Sequence, residues 1–273
     1  MRKIINYQPV PLTRYLMGLL PLLALLLVYL MASDARLGIN AADKLLPGFN
    51  AMGDAVYRMA FQPSPRTGEY LLWVDTVASL LRLLTGVVLS ALLALALGLF
   101  CGALPVVRAF CSPIITLFAL VPPLAILPIL FISFGLGELS KVVLIIVGIT
   151  PLIARDLQLQ VQAIPREQLV KAQTLGGHSG QILWRVILPQ LMPRLFDAVR
   201  LSLCSAWLFL IAAEAIAATE GLGYRIFLMR RYLAMDVILP YVAWITLLAF
   251  ALDLLLRTIS RRCWPWYYAN QGK

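Results

Sequence analysis

Residues 83–107 read LLTGVVLSALLALALGLFCGALPVV, and residues 109–137 read AFCSPIITLFALVPPLAILPILFISFGLG. Neither run carries a charge, and Arg108 alone separates them. A helix needs ~20 apolar residues to cross a hydrocarbon core about 30 Å thick. Each run is long enough to cross once, with a tight basic turn at Pro105–Arg108 as the joint. The same reasoning extends outward. Tyr15–Ala32 is uncharged behind Arg2, Lys3 and Arg14. It is longer than the core of a cleaved signal peptide, and Met31-Ala32-Ser33-Asp34 offers no small-x-small cleavage site, so a retained first span is expected.

Downstream the runs are shorter. Val142–Ala154 must borrow its charged flanks to cross, Leu201–Thr219 is interrupted by Glu214, and Val237–Leu256 meets Asp253 near its end. These segments reach a bilayer's width only if charged ends snorkel or face protein. The expectation is an all-α membrane protein with five or six spans. Residues 34–70 are polar and broken by Pro47-Gly48 and Pro63-Ser64-Pro65, which predicts a loop with a short interfacial helix near Asp54–Phe61.

Composition supports this reading. Of 273 residues, 61% are hydrophobic and 13% charged, about half the charged fraction of an ordinary soluble domain. Too few polar groups exist to cover a soluble surface. Cys101, Cys111, Cys204 and Cys263 lie in or beside apolar stretches without CxxC spacing, and His178 is the only histidine. A disulfide framework, a zinc site or a histidine relay is therefore not expected.

The net charge of +10 is unevenly spread. With the N-terminus inside, segments 1–14, 105–111, 155–200 and 257–273 are cytoplasmic and hold 14 Lys and Arg against 3 acidic residues. The opposite loops, 34–75, 135–141 and 219–236, hold 8 of each. That asymmetry follows the positive-inside rule and assigns both termini to the cytoplasm. It also makes the charge a property of membrane loops, not a nucleic-acid footprint.

The longest polar insertion of the second half, Asp156–Arg194, is then cytoplasmic. Pro165 suits the first turn of a helix reaching about Leu175, Gly176-Gly177 ends it, and a second helix from about Ser179 is expected to stop at Pro189. No GxxxxGK[ST], HExxH or GxSxG sequence is present. No catalytic residue, metal ligand or cofactor of this chain is proposed, and any chemical energy must come from another subunit.

Within the insertion, Val170-Lys171-Ala172-Gln173-Thr174-Leu175-Gly176, followed by Val186-Ile187-Leu188-Pro189, resembles the E-A-A-x3-G-x9-I-x-L-P motif of ABC importer permeases. Ala172, Gly176, Leu188 and Pro189 match in register and Val186 is conservative. Val170 and Lys171 stand where the family has Glu-Ala, and Glu167, one turn earlier, is the candidate substitute acid. Two further stretches are similar to the nitrate, sulfonate and taurine branch. One is Pro122-Pro123-Leu124-Ala125-Ile126-Leu127-Pro128 with Phe134-Gly135-Leu136-Gly137-Glu138 and Lys141; the other is Asp75–Arg82 together with Glu214 and Gly221-Leu222-Gly223-Tyr224. The resemblance covers about residues 70–260.

The resemblance implies a type I, MetI-like permease in a bacterial inner membrane. Its parts would be a cytoplasmic segment 1–14, a first span and external loop at 15–70, a permease core at 71–260 with a coupling segment at 156–194, and a cytoplasmic tail at 261–273. It implies a homodimer of about twelve spans, two copies of a separate ATPase that holds ATP and Mg, and an external substrate-binding protein. Glu167, Lys171, Ala172, Leu175, Gly176 and Gly177 would contact the ATPase, with His178 at the rim. The substrate would be a small polar solute such as nitrate, a sulfonate, taurine or bicarbonate; a thiamine precursor or a urea- or guanidine-like compound is the wider set.

Other residues are singled out by cost. A charge inside a span costs ~2.5–3.5 kcal/mol on insertion scales, so Arg82 and Glu214 need partners. Either they pair and fasten an external gate, or one faces the substrate path. Pro122 and Pro123, with Pro128, must disrupt their span, as a packed kink or beside a pathway. The rival from another class is an ion-coupled carrier acting without an ATPase, with Glu214 as its coupling group; internal repeats typical of such carriers are not evident. A non-transporting scaffold explains neither the patterned insertion nor the intramembrane charges.

Overall fold

The computed structural model describes residues 11–40, 43–65 and 67–269, and every regular element among them is helical. Arg2 and Lys3, which head the expected cytoplasmic N-terminus, lie outside the described residues, as do Arg66 and the last four residues. The helices are α1 (Pro11–Ile39), α2 (Phe49–Phe61), α3 (Leu71–Ala103), α4 (Pro105–Leu120), α5 (Leu127–Phe134), α6 (Glu138–Gln162), α7 (Arg166–Thr174), α8 (Ser179–Ile182), α9 (Leu188–Ala217), α10 (Leu222–Arg230), α11 (Met235–Cys263) and α12 (Pro265–Ala269). Five are long and apolar enough to cross a membrane, and a sixth crossing arises if the bent pair α4–α5 counts as one span.

The centre of the molecule is the parallel pair α3 and α6. A ladder of small residues explains it: Gly86, Ser90, Ala94, Gly98 and Gly102 recur every four positions and are all buried. A Cβ added at Gly98 would lie 2.5 Å from the Cβ of Leu157, and one at Gly102 2.5 Å from that of Val161. Small residues let two backbones approach closely, the main source of helix association where lipid removes the hydrophobic drive between helices. α9 runs antiparallel on the other side of α6, where Phe209 fills the space left by Gly148. α11 packs on α9 and α10, and α2 lies across α11 and the start of α3. The short helix expected near Asp54–Phe61 is α2, which starts earlier, at Phe49, and is tied by Trp73 Nε1 donating to the Ala60 carbonyl at 3.1 Å.

Several expected boundaries move, each for a local reason. α3 stops at Ala103, not Val107, because Pro105 cannot continue it and instead opens α4. Leu104 is the whole joint, and Arg108 turns back so that its Nε donates to the Cys101 carbonyl at 3.1 Å. The second uncharged run is not one straight span. At Val121–Pro123 it breaks, passes through a 3₁₀ turn at Pro123–Ile126 and resumes as α5 at 85° to α4.

The largest correction concerns Pro189. It was expected to stop the second cytoplasmic helix; instead it occupies the first turn of α9, and helix runs unbroken from Ser179 to Ala217. Proline supplies no N–H for the carbonyl four residues back. The chain accommodates this with a π-helical turn at Leu183–Ile187 immediately before the proline. The fifth span thus starts well before Leu201 and grows directly out of the 156–194 insertion.

α1 is the exception to the packing. Its spanning segment, Leu16–Ile39, is almost wholly exposed. It is anchored at one end by Tyr29, whose hydroxyl donates to the Pro47 carbonyl at 2.7 Å, and by Ser33, which donates to the Leu46 carbonyl at 3.0 Å.

Candidate functional site

The described chain has two unusual ends. At one, the starts of α3, α6 and α11 meet the end of α9 and the start of α10, and charged side chains are buried together. At the other, the α7–α8 turn projects from the bundle.

At the first end, Asp75, Ser79 and Arg82 share one face of α3, spaced by four and three residues. Asp75 and Glu214 are fully buried and Arg82 nearly so. Arg82 Nη1 donates to Glu214 Oε1 at 2.8 Å and to the Glu220 carbonyl at 2.8 Å; its Nη2 donates to Glu138 Oε1 at 2.9 Å, and its Nε also bonds Glu138. Lys141 Nζ joins Glu138 Oε1 at 2.7 Å. The second pair is Asp75 with Arg225, Nε to Oδ2 at 2.8 Å, with Tyr241 donating to the same oxygen at 3.2 Å. Burial opposes the charge on Arg225, but the hydrogen bond and charge of Asp75 outweigh it and hold its pKa above the ordinary arginine value.

These carboxylates also clamp a backbone. The first N–H groups of a helix have no intrahelical partners and attract negative charge. At α10 three successive ones are met from other helices: Gly221 N–H by Asp75 Oδ1 at 2.9 Å, Leu222 N–H by Ser79 Oγ at 2.8 Å, and Gly223 N–H by Glu214 Oε2 at 2.8 Å. Ser79 in turn donates to Glu214. The two glycines are there for room. A Cβ at Gly221, whose φ is +127°, would sit 2.6 Å from the Glu214 carboxyl; one at Gly223 would sit 2.8 Å from the Ile211 carbonyl oxygen.

Arg82 and Glu214 are thus brought together. Pro122 and Pro123 contribute no atom to that cluster; they lie in the break between α4 and α5, Pro122 exposed and Pro123 half-buried. Sequence reading missed Arg225 and Tyr241, partners of a buried Asp75 that was itself in view. The 75–79–82 spacing on one helical face was the available sign that these side chains act together.

At the other end, α7 closes in a Schellman turn. Gly177 N–H bonds the Ala172 carbonyl at 3.0 Å and Gly176 N–H bonds the Gln173 carbonyl at 2.9 Å, with Gly176 at φ +85°. A Cβ at Gly177 would meet the Ala172 oxygen at 2.8 Å. His178 caps α8: its Nδ1 accepts from Gln181 N–H at 3.3 Å, and its own N–H bonds the Gln181 side chain at 3.2 Å. Glu167, Lys171, Leu175, Gly176 and His178 are exposed, whereas Ala172 and Gly177 are half-buried against the chain's own core. Leu175 is 80% exposed and Trp184, on the π turn, 57%.

The family described as binding-protein-dependent transport system inner membrane component matches residues 94–264, from the middle of α3 to the end of α11. The chain belongs to that family. As a permease it is 40% identical over 196 residues to the taurine transport system permease protein TauC of Escherichia coli (strain K12), covering 72% of this chain and 71% of that protein. It is 26% identical to a putative aliphatic sulfonates transport permease protein, SsuC, of Bacillus subtilis (strain 168), over 71% of this chain and 70% of that one. It is 27% identical to the bicarbonate transport system permease protein CmpB of Synechococcus elongatus, over 70% and 69%. Its fold is that of one chain from inward-facing structures of the MetNI methionine ABC transporter, with a TM-score of 0.63 at 21% identity, over 73% of this chain and 98% of that one. The expected all-helical type I permease fold is the fold observed, and the permease is a membrane-embedded transport component.

Proposed function

We propose that the permease is one of two identical copies lining the pathway of an ATP-driven importer, gripped from the cytoplasm by two copies of a separate ATPase. The observation that carries this reading is the α7–Gly176–α8 turn. It holds an 80% exposed leucine, Leu175, at the tip of a rigid, self-satisfied backbone. An apolar knob on a polar loop favours a partner's groove over water. The turn leads through α8 and the π segment into α9 without a break, so force on Leu175 is delivered directly to a spanning helix. The ATPase supplies the ATP and Mg chemistry, and this chain holds neither.

The charge distribution favours both termini and the α7–α8 turn in the cytoplasm and the charged clamp at the outer face. There Arg82–Glu214 and Asp75–Arg225 tie α3, α6, α9 and α10 into one rigid gate element. A binding protein delivers solute to that face. The 40% identity to a taurine permease favours taurine or a related small sulfonate as the solute. Complete pairing of Glu214 argues against its use as the proton-coupling group of a stand-alone carrier.

Co-purification with the cognate ATPase tests the reading. Leu175→Asp and Gly176→Trp should both lower association by about tenfold or more, as loss of a central apolar anchor does, while Leu175→Asp leaves the permease folded. Undiminished association would remove the turn from the interface. Solute uptake by the purified permease alone, without ATP, would replace the importer reading with a carrier.

A further inference from the structure

Between α10 and the end of α9 lies an open hollow of about 500 Å³, lined by Ala215, Tyr224, Phe227, Leu228, Arg230 and Arg231. Tyr224, Phe227, Leu228 and Arg231 recur at helical spacing on one face of α10, and Arg230 is held against the Phe227 ring with its Cζ 5.8 Å from the centroid. Both arginines are exposed, and among the described residues no carboxylate lies within ion-pair distance of either. The acids nearby are already taken: Asp75 by Arg225, Glu138 and Glu214 by Arg82, Glu220 by Arg82 at 3.7 Å, and Asp236 by Arg58 at 3.6 Å. Two guanidiniums without a carboxylate partner among the described residues thus line one concavity beside aromatic rings, at the α10 end of the molecule.

We propose that this hollow is an anion-selecting vestibule of the transport path, in which Arg230 and Arg231 receive the sulfonate or carboxylate oxygens of a small solute. The proposal rests on the importer reading above and names the substrate class and the residues that recognise it. Guanidinium groups present paired donors that match two oxygens of a sulfonate or carboxylate in charge-assisted hydrogen bonds. Tyr224 and Phe227 give the solute's short carbon chain an apolar wall. The hollow is far larger than a taurine-sized molecule, so solute enters with water and leaves readily, as a pathway requires. The same clamp that fixes α10 through its first three N–H groups fixes the bearing of both arginines.

Two measurements on the purified permease–ATPase complex test the proposal. In the first, Ala215→Cys is introduced with Cys204 and Cys263 replaced by serine, and the thiol is labelled by anionic and cationic methanethiosulfonates of similar size. The anionic reagent should react about tenfold faster, as expected for a site focused by positive charge. Methanesulfonate should slow it, and R230Q/R231Q should abolish the preference. Equal rates for both reagents, or a preference that survives R230Q/R231Q, would overturn the vestibule. In the second, proteoliposomes carry the complex with saturating taurine-loaded binding protein. R230Q/R231Q should cut uptake by about tenfold, the scale of losing a charge-assisted hydrogen bond, with R230K/R231K falling between it and the unaltered protein because charge is kept and the paired donors are lost, while affinity for the binding protein is unchanged. A matching loss of that affinity would assign the arginines to receptor docking and defeat the proposal. If the unaltered complex shows no ATP-driven uptake, the importer reading fails, and the labelling result still decides whether the hollow selects anions.

Discussion

The two ends of the permease solve opposite problems. At the α10 end, seven charged side chains are drawn together and nearly every donor and acceptor is met within the chain: two buried carboxylates, a buried arginine and the N-terminus of a helix complete one another. At the α7–α8 turn the backbone is equally complete, through its Schellman bonds and the His178–Gln181 capping box, yet the apolar side chain of Leu175 at the tip is left outward. The first end is closed on itself and holds helices together. The second is a finished support for an unfinished surface. Burial of charge costs energy that only internal partners recover, so the first end tolerates little change. The second should tolerate much in folding and little in assembly.

That contrast can be broken experimentally, and the largest effect is expected at Arg82. Removing one member of a buried ion pair leaves the other charge unpaired, at a cost of about 3–5 kcal/mol. Arg82→Ala should therefore unfold or sharply destabilise the permease in detergent, visible as lost monodispersity and a lower melting temperature. A folded Arg82→Ala protein with unchanged melting would mean that water reaches Glu214 and that the cluster is not closed.

A sharper version compares two glycines that both have positive φ. Ala at either position carries the backbone strain of that conformation, about 1–3 kcal/mol. Only Gly221 adds a collision, with the Glu214 carboxyl at 2.6 Å, whereas the space around Gly176 is open. Gly221→Ala should be clearly more destabilising than Gly176→Ala in a thermal melt of the two purified proteins. The reverse order would show that the turn, not the clamp, limits stability.

The smallest effect belongs to His178. Its ring satisfies one N–H at the start of α8, so His178→Ala should cost about 1 kcal/mol, in line with loss of a helix cap. Amide hydrogen exchange should speed up at Gln181 and its neighbours while the α10 end keeps its protection. Faster exchange at both ends would show that the two regions are energetically coupled.

Much of this architecture was legible in the chain itself, at positions where a residue's meaning is local. Gly176 reads as a helix end because only glycine takes its φ cheaply. Pro165 reads as a helix start, and the uncharged runs read as spans. Pro189 misled because proline has two local meanings, a stop and a first-turn residue, and a π turn upstream chose the second. The bend at Pro122–Pro123 was foreseeable; its 85° angle was not. His178 was hidden because histidine is an uncommon cap.

The amino-acid order alone determined that this protein is built of membrane-spanning helices, which apolar runs supply them, which segments carry the surplus positive charge and where the Gly176–Gly177 turn lies. These properties follow from transfer free energies and backbone preferences summed over neighbouring residues, so no distant contact is needed to read them. The tertiary structure alone decided which charges meet. Asp75 finds Arg225 across 150 positions of sequence, Glu214 finds Arg82 across 132, and Arg230 and Arg231 are left over. Pairing depends on the helix neighbours and register set by a ladder of small residues, and that information does not reside in any one segment.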